Sequence, residues 1–158
     1  MILGIRSGIL CGELKRHPDG VIDYLDIKSD TIASLTRPGG ENLWLAITLD
    51  VDGLGGPLTL KLDAPHFEHR LSVTAPPGPL STSLNFPIAL PITEEGVLSV
   101  TVIDEARRTE PFTIKWRLDF YDNAPDPGFT AAELNDKAND YTGKVIASLQ
   151  PPRPGKAH

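Results

Sequence analysis

The sequence predicts an all-β protein: an antiparallel β-sandwich of about eight strands, immunoglobulin-like or C2-like, with a short C-terminal helix and a flexible tail. Three observations carry this expectation. Before residue 129 apolar residues recur with period two in short segments, and the helical period is nearly absent. Fifteen prolines and fourteen glycines fall between those segments as turn signals without a repeat. At 158 residues the chain can bury about 70% of the surface its unfolded form exposes, so it needs no covalent or metal staple.

The first strand, near 2–14, runs into His17-Pro18-Asp19-Gly20, and a second follows near 20–28. Proline presets φ at the second turn position and glycine tolerates positive φ, so this stretch predicts a hairpin. Ile9 and Cys11 supply one strand, and Ile22, Tyr24 and Leu25 the other. Cys11, the sole cysteine, reads as a small buried hydrophobe, because a reactive thiol needs an accessible, electropositive setting. After a turn at 37–40, Leu43, Leu45, Ile47, Leu49 and Val51 share one face of a strand near 41–52. Trp44, Ala46, Thr48 and Asp50 share the other, so the first set is predicted buried. Further strands are read near 56–64, 67–74, 82–92, 96–104 and 110–120. In the last, Trp116 lies on one face with Ile114 and Leu118 and is expected to anchor the core. Residues 1–121 make the sandwich domain.

Residues 122–129 read as a linker, and Thr130 with Glu133 forms a capping box that opens a helical segment over 130–149. Leu134, Ala138, Tyr141, Val145 and Leu149 make one stripe on it, while Gly143 predicts a short or broken helix. Residues 150–158, rich in proline, predict a disordered tail. Because the sandwich pattern already supplies two faces to cover each other, the stripe is expected to meet a protein partner or a second copy of the chain. Leu134, Tyr141, Val145 and Leu149 are the candidate partner-binding residues.

A net charge of −6 and a pI near 5.1 argue against nucleic acid and anionic membrane as partners, since both select basic surfaces. No stretch approaches the ~18 apolar residues of a membrane helix. Met1 to Leu14 lacks the leading charge and unbroken apolar run of a signal peptide, and a single cysteine makes no internal disulfide, so a cytoplasmic location is expected.

Acidic groupings at Asp50 and Asp52, at Asp23 and Asp26, and at Asp119, Asp122 and Asp126 are candidate calcium ligands, since calcium accepts loop carboxylates. They also fit turns and wet strand faces, with Asp52-Gly53 reading as a hairpin turn. His66 and His69 are three apart, which in a strand points them to opposite faces, so they read as surface histidines and not as a zinc pair. The expectation is no metal and no cofactor. No nucleophile elbow, phosphate loop or dinucleotide fingerprint occurs, so no catalytic residue is assigned and an enzyme is not expected.

The stretches "LCGE", "YLDI", "LWLAITLDVDG", "EGVLSVTVID" and "FTIKWRLDF" resemble, over residues 2–120, a family of uncharacterised bacterial β-sandwich proteins. The resemblance implies the fold and carries no activity or functional residue. The expectation is therefore a non-enzymatic cytoplasmic protein-binding or assembly module. The alternative is a sandwich that binds calcium or carbohydrate through loop aspartates and Trp44 or Trp116.

Overall fold

The computed structural model describes residues 2–106 and 110–150. The tail expected at 150–158 therefore lies, beyond Gln150, outside the described residues. Among these residues nine strands and one helix follow in order: β1 (Ile2–Arg16), β2 (Ile22–Lys28), β3 (Thr31–Ser34), β4 (Gly39–Val51), β5 (Gly56–Ala64), β6 (Phe67–Ala75), β7 (Ser81–Ile92), β8 (Gly96–Asp104), β9 (Phe112–Phe120) and α1 (Ala131–Leu149). They form a four-stranded sheet, β2-β1-β4-β7, and a five-stranded sheet, β3-β9-β8-β5-β6.

The inner faces of the sheets share one core, as the period-two pattern requires. Leu43, Leu45, Ile47 and Leu49 of β4 and Phe86, Ile88 and Leu90 of β7 belong to the same buried cluster as Leu58, Leu60 and Leu62 of β5. Leu98, Val100 and Val102 of β8 join it, with Trp116 and Leu118 of β9. Each fully buried aliphatic side chain is worth about 1.5–3 kcal/mol relative to exposure. The β1–β2 connection is the expected hairpin: Gly20 N donates to His17 O at 3.0 Å and Gly20 takes φ +88°.

Three expectations are corrected. A ninth strand exists: β3 pairs with β9, and does so in parallel. Four residues are too few to show alternation, and of them only Ile32 joins the core. Asp52-Gly53 is no hairpin turn, because β4 and β5 lie in different sheets. Its loop crosses between sheets beside the 76–80 crossover, tied by Gly78 N to Gly53 O at 2.8 Å.

The third correction concerns the helix, which folds back on the sandwich instead of standing apart. α1 runs unbroken through Gly143, with Thr130 as its N-cap. The line it buries is Ala138, Thr142 and Ile146, rotated from the stripe read in the sequence, and Ile146 enters the core cluster. Val145 packs against that core, whereas Tyr141 and Leu149 are each 45% exposed. The reason is the unpaired edge of β7. Ala89 turns its N–H and C=O away from β4, and the Thr142 hydroxyl satisfies both, accepting from Ala89 N at 3.0 Å and donating to Ala89 O at 3.1 Å. The residues that face the same way in the ladder are Pro87 and Pro91, which have no N–H to leave unpaired. On its other flank α1 meets β6, the edge of the second sheet: Asn139 Nδ2 donates to His66 O at 2.7 Å and Asn139 Oδ1 accepts from His69 Nε2 at 2.9 Å. One helix therefore closes the side of the sandwich where two sheet edges meet.

Trp116 is 4% exposed, and its Nε1 donates to Lys28 O at 3.1 Å, joining β9 to the end of β2. Trp116→Ala is expected to cost about 3–5 kcal/mol in denaturant unfolding, as large aromatic truncations do. A loss under about 1 kcal/mol would show that the ring carries little of the core.

Candidate functional site

The docking of α1 leaves a slot between the first half of the helix and the outer face of β4 and β7, with a volume of about 570 Å³. Its floor consists of two cross-strand pairs, Gly40 opposite Pro91 and Asn42 opposite Ala89. All four are compact, which keeps the floor low. A Cβ on Gly40 would stand 3.0 Å from Leu90 O, so this position has no room for a larger residue without a shift. The wall is Leu134, Ala138 and Tyr141, spaced i, i+4 and i+7 on one helical flank, with Lys137 at the mouth. Lys137 Nζ lies 5.3 Å from the Phe129 ring centroid.

Two of the candidate partner-binding residues, Leu134 and Tyr141, thus line one slot. The other two do not join them there: Val145 is partly buried against the core and Leu149 lies at the far end of the helix. The sequence reading missed Gly40, Asn42, Ala89, Pro91 and Lys137. Pro87 and Pro91 were an available signal, since prolines at the same parity within a strand mark a bare edge that a neighbouring element covers.

Glu41 contributes to the slot lining, yet its charged neighbours, Lys28 and Asp26, belong to β2. Burial, the largest effect, holds its carboxyl above the ordinary value, with Lys28 opposing the rise and Asp26 adding to it. Cys11, fully buried in β1, has its thiol pushed up by burial, as expected of a small hydrophobe.

Five of the candidate aspartates have protein partners, and Asp23, Asp26 and Asp50 lie in strands. Asp50 pairs with Arg6, Asp23 with His17 and Asp26 with Lys28, while Asp52 and Asp126 accept from the backbone N–H groups of Leu54 and Gly128. His66 lies in the β5–β6 turn at φ +59°, outside β6, so the opposite faces expected of a strand do not apply to it; it bonds Glu94 at 2.7 Å, whereas His69 of β6 bonds Asn139. Among the described residues no group of three or more His, Cys, Asp or Glu side chains converges to hold a metal. Trp116, buried in the core, offers no ring face to a sugar. Among the described residues, no helix is long and apolar enough to cross a membrane.

With this geometry in view, the chain was compared with known proteins: no protein-family model matches it, and no curated protein matches it.

The Glu41 shift has a pH signature. A carboxyl whose folded value lies above its unfolded one contributes stability that is fully present below the unfolded pKa and is lost as pH rises through the folded pKa. Glu41→Gln is therefore expected to melt higher than the parent at neutral pH, with the difference closing below the ordinary value of 4.5. An unchanged or lower melting temperature at neutral pH would contradict the assignment of burial as the dominant effect.

Proposed function

We propose that the chain is a non-enzymatic, cytoplasmic protein-binding module whose slot beside α1 takes an extended segment of a partner protein. The observation that carries this reading is the divided use of the apolar stripe. Val145 is spent on the sandwich, while Leu134, Ala138 and Tyr141 wall an open slot. Pockets of about 300–1,000 Å³ are the usual scale for a discrete ligand group, so this slot suits one or two anchoring side chains. Its wall is apolar, and its polar groups are the Asn42 amide, the Tyr141 phenol, the Glu41 carboxyl and the Lys137 ammonium, the last two of opposite charge. An apolar anchor fits that wall, and an acidic neighbour fits where the segment passes Lys137 and not Glu41.

The fold type we propose is immunoglobulin-like. The order β1-β4-β7 in one sheet and β9-β8-β5-β6 in the other matches the A-B-E and G-F-C-C′ neighbourhoods of a variable-type sandwich, with β2 and β3 as additions. The single cysteine means that the inter-sheet disulfide of antibody domains has no counterpart here.

Panning a displayed library of random linear peptides on the full chain tests the binding reading. The expected result is enrichment of sequences sharing an apolar anchor beside Asp or Glu. Their binding should weaken at least tenfold in Tyr141→Ala and in Asn42→Trp, which fills the exposed floor. Failure to enrich any motif, or equal binding by the Asn42→Trp variant, would overturn the slot as the site.

A further inference from the structure

The loops at one end of the sandwich carry leucines at positions where small and polar turn residues are the rule. The β4–β5 and β6–β7 crossovers meet there, tied by Gly78 N donating to Gly53 O at 2.8 Å and Val51 N donating to Leu80 O at 3.0 Å. Leu54 and Leu80, one on each loop, are both 68% exposed. A Cβ on Gly53 would stand 3.4 Å from Leu80 Cδ2, so the Leu80 side chain lies over the residue that precedes Leu54. β1 begins at the same end, where Ile2 pairs with Val51, and brings Leu3, 59% exposed. Residues 53–60 and 71–93 contain no charged side chain. The backbone donors of the tip are satisfied or missing: Leu54 N donates to Asp52 Oδ1 at 3.1 Å, Gly78 N is bonded to the facing loop, and Pro76, Pro77 and Pro79 have no N–H.

We propose that this tip inserts into a zwitterionic lipid surface. A specific protein interface buries ~1,200–2,000 Å² and carries about one hydrogen bond per 100–200 Å². Two loop tips without a charged side chain supply neither the area nor the bonds, and a lipid surface asks for neither. What lipid selects is apolar side chains on a backbone whose N–H groups are bonded within the protein or missing, because hydrocarbon offers them no partner. Leu54 and Leu80 meet the first condition, and the bonded Leu54 and Gly78 amides with the three prolines meet the second. The prolines also fix φ before contact, which reduces the ordering that insertion requires. The charges around the tip decide the headgroup. Asp52 adjoins Gly53, and Glu105 N donates to Pro57 O at 3.1 Å, which brings exposed Glu105 to the base of the tip. The β8–β9 connection is balanced in sequence, with Glu105 and Glu110 against Arg107 and Arg108. On a chain of net charge −6 this leaves no basic excess to hold anionic lipid, so the occupant is a surface without net charge. The slot opens at the start of β4 and the tip lies at its end, so the inference is independent of the slot.

Flotation of the full chain with phosphatidylcholine vesicles, carried into the millimolar lipid range that a few inserted side chains require, tests the proposal. The expected result is that the parent chain floats with the vesicles. Leu54→Ser and Leu80→Ser, at exposed positions that the fold tolerates, should keep the parent melting temperature and each weaken the partition about fivefold to tenfold. Tyr141→Ala should leave it unchanged. Adding phosphatidylglycerol to the vesicles should weaken the parent's partition, and salt should restore it as the like charges are screened. A parent chain that stays with the aqueous phase at every lipid concentration would overturn the proposal and leave the tip to a protein partner. So would association that survives both serines, or association that phosphatidylglycerol strengthens, which would make the contact electrostatic and place it elsewhere.

Discussion

One hydroxyl governs how this sandwich ends. A sheet edge presents unpaired N–H and C=O groups, and burying them unmatched costs about 1–3 kcal/mol each. Thr142 answers both groups of Ala89 at once, in the way a residue of a neighbouring strand would. Pro87 and Pro91, on either side, remove the two N–H groups that a single threonine could not reach. The edge of β7 is thereby closed by a helix and not by another strand, and this choice fixes the rotation of α1 on the sandwich.

That rotation determines the rest of the helix. With Thr142 turned to Ala89, Ala138 and Ile146 fall on the same buried line one turn either side, and Asn139 reaches the β5–β6 turn. The apolar stripe is then split. Its C-terminal part, Val145, is drawn onto the core, while Leu134 and Tyr141 stand over the low floor at Gly40, Asn42, Ala89 and Pro91 and leave a space above it. The slot is thus a by-product of edge closure, shaped where a helix set by one hydrogen-bonded position leans over a sheet whose outward residues are small.

Much of this architecture was legible in the sequence. The alternation from Leu43 to Val51 located β4 and its buried face because period two is a direct consequence of the pleat. Trp116 was placed in the core by the same argument, and Thr130 with Glu133 marked the start of α1 because capping is local chemistry. What escaped had non-local causes. β3 is held by a parallel partner more than eighty residues away and shows no period of its own. The register of α1 turned on a threonine, which a reading of apolar stripes counts as solvent-facing, and its burial makes sense only once Ala89 is seen across from it. The slot floor joins two strands some fifty residues apart in the chain, so no single segment announced it.

The most direct test of edge closure is amide hydrogen exchange at Ala89, measured in the parent chain and in Thr142→Val, which keeps the shape of the side chain and removes its hydroxyl. The account predicts that in the parent the Ala89 amide is protected to the level of Ile88 and Leu90, which face β4 in the ladder. In the variant that protection should fall selectively at Ala89, with a loss of about 1–3 kcal/mol in global stability. An Ala89 amide that exchanges freely in the parent, or one whose protection survives the substitution, would contradict the claim that this hydroxyl holds the helix to the sheet.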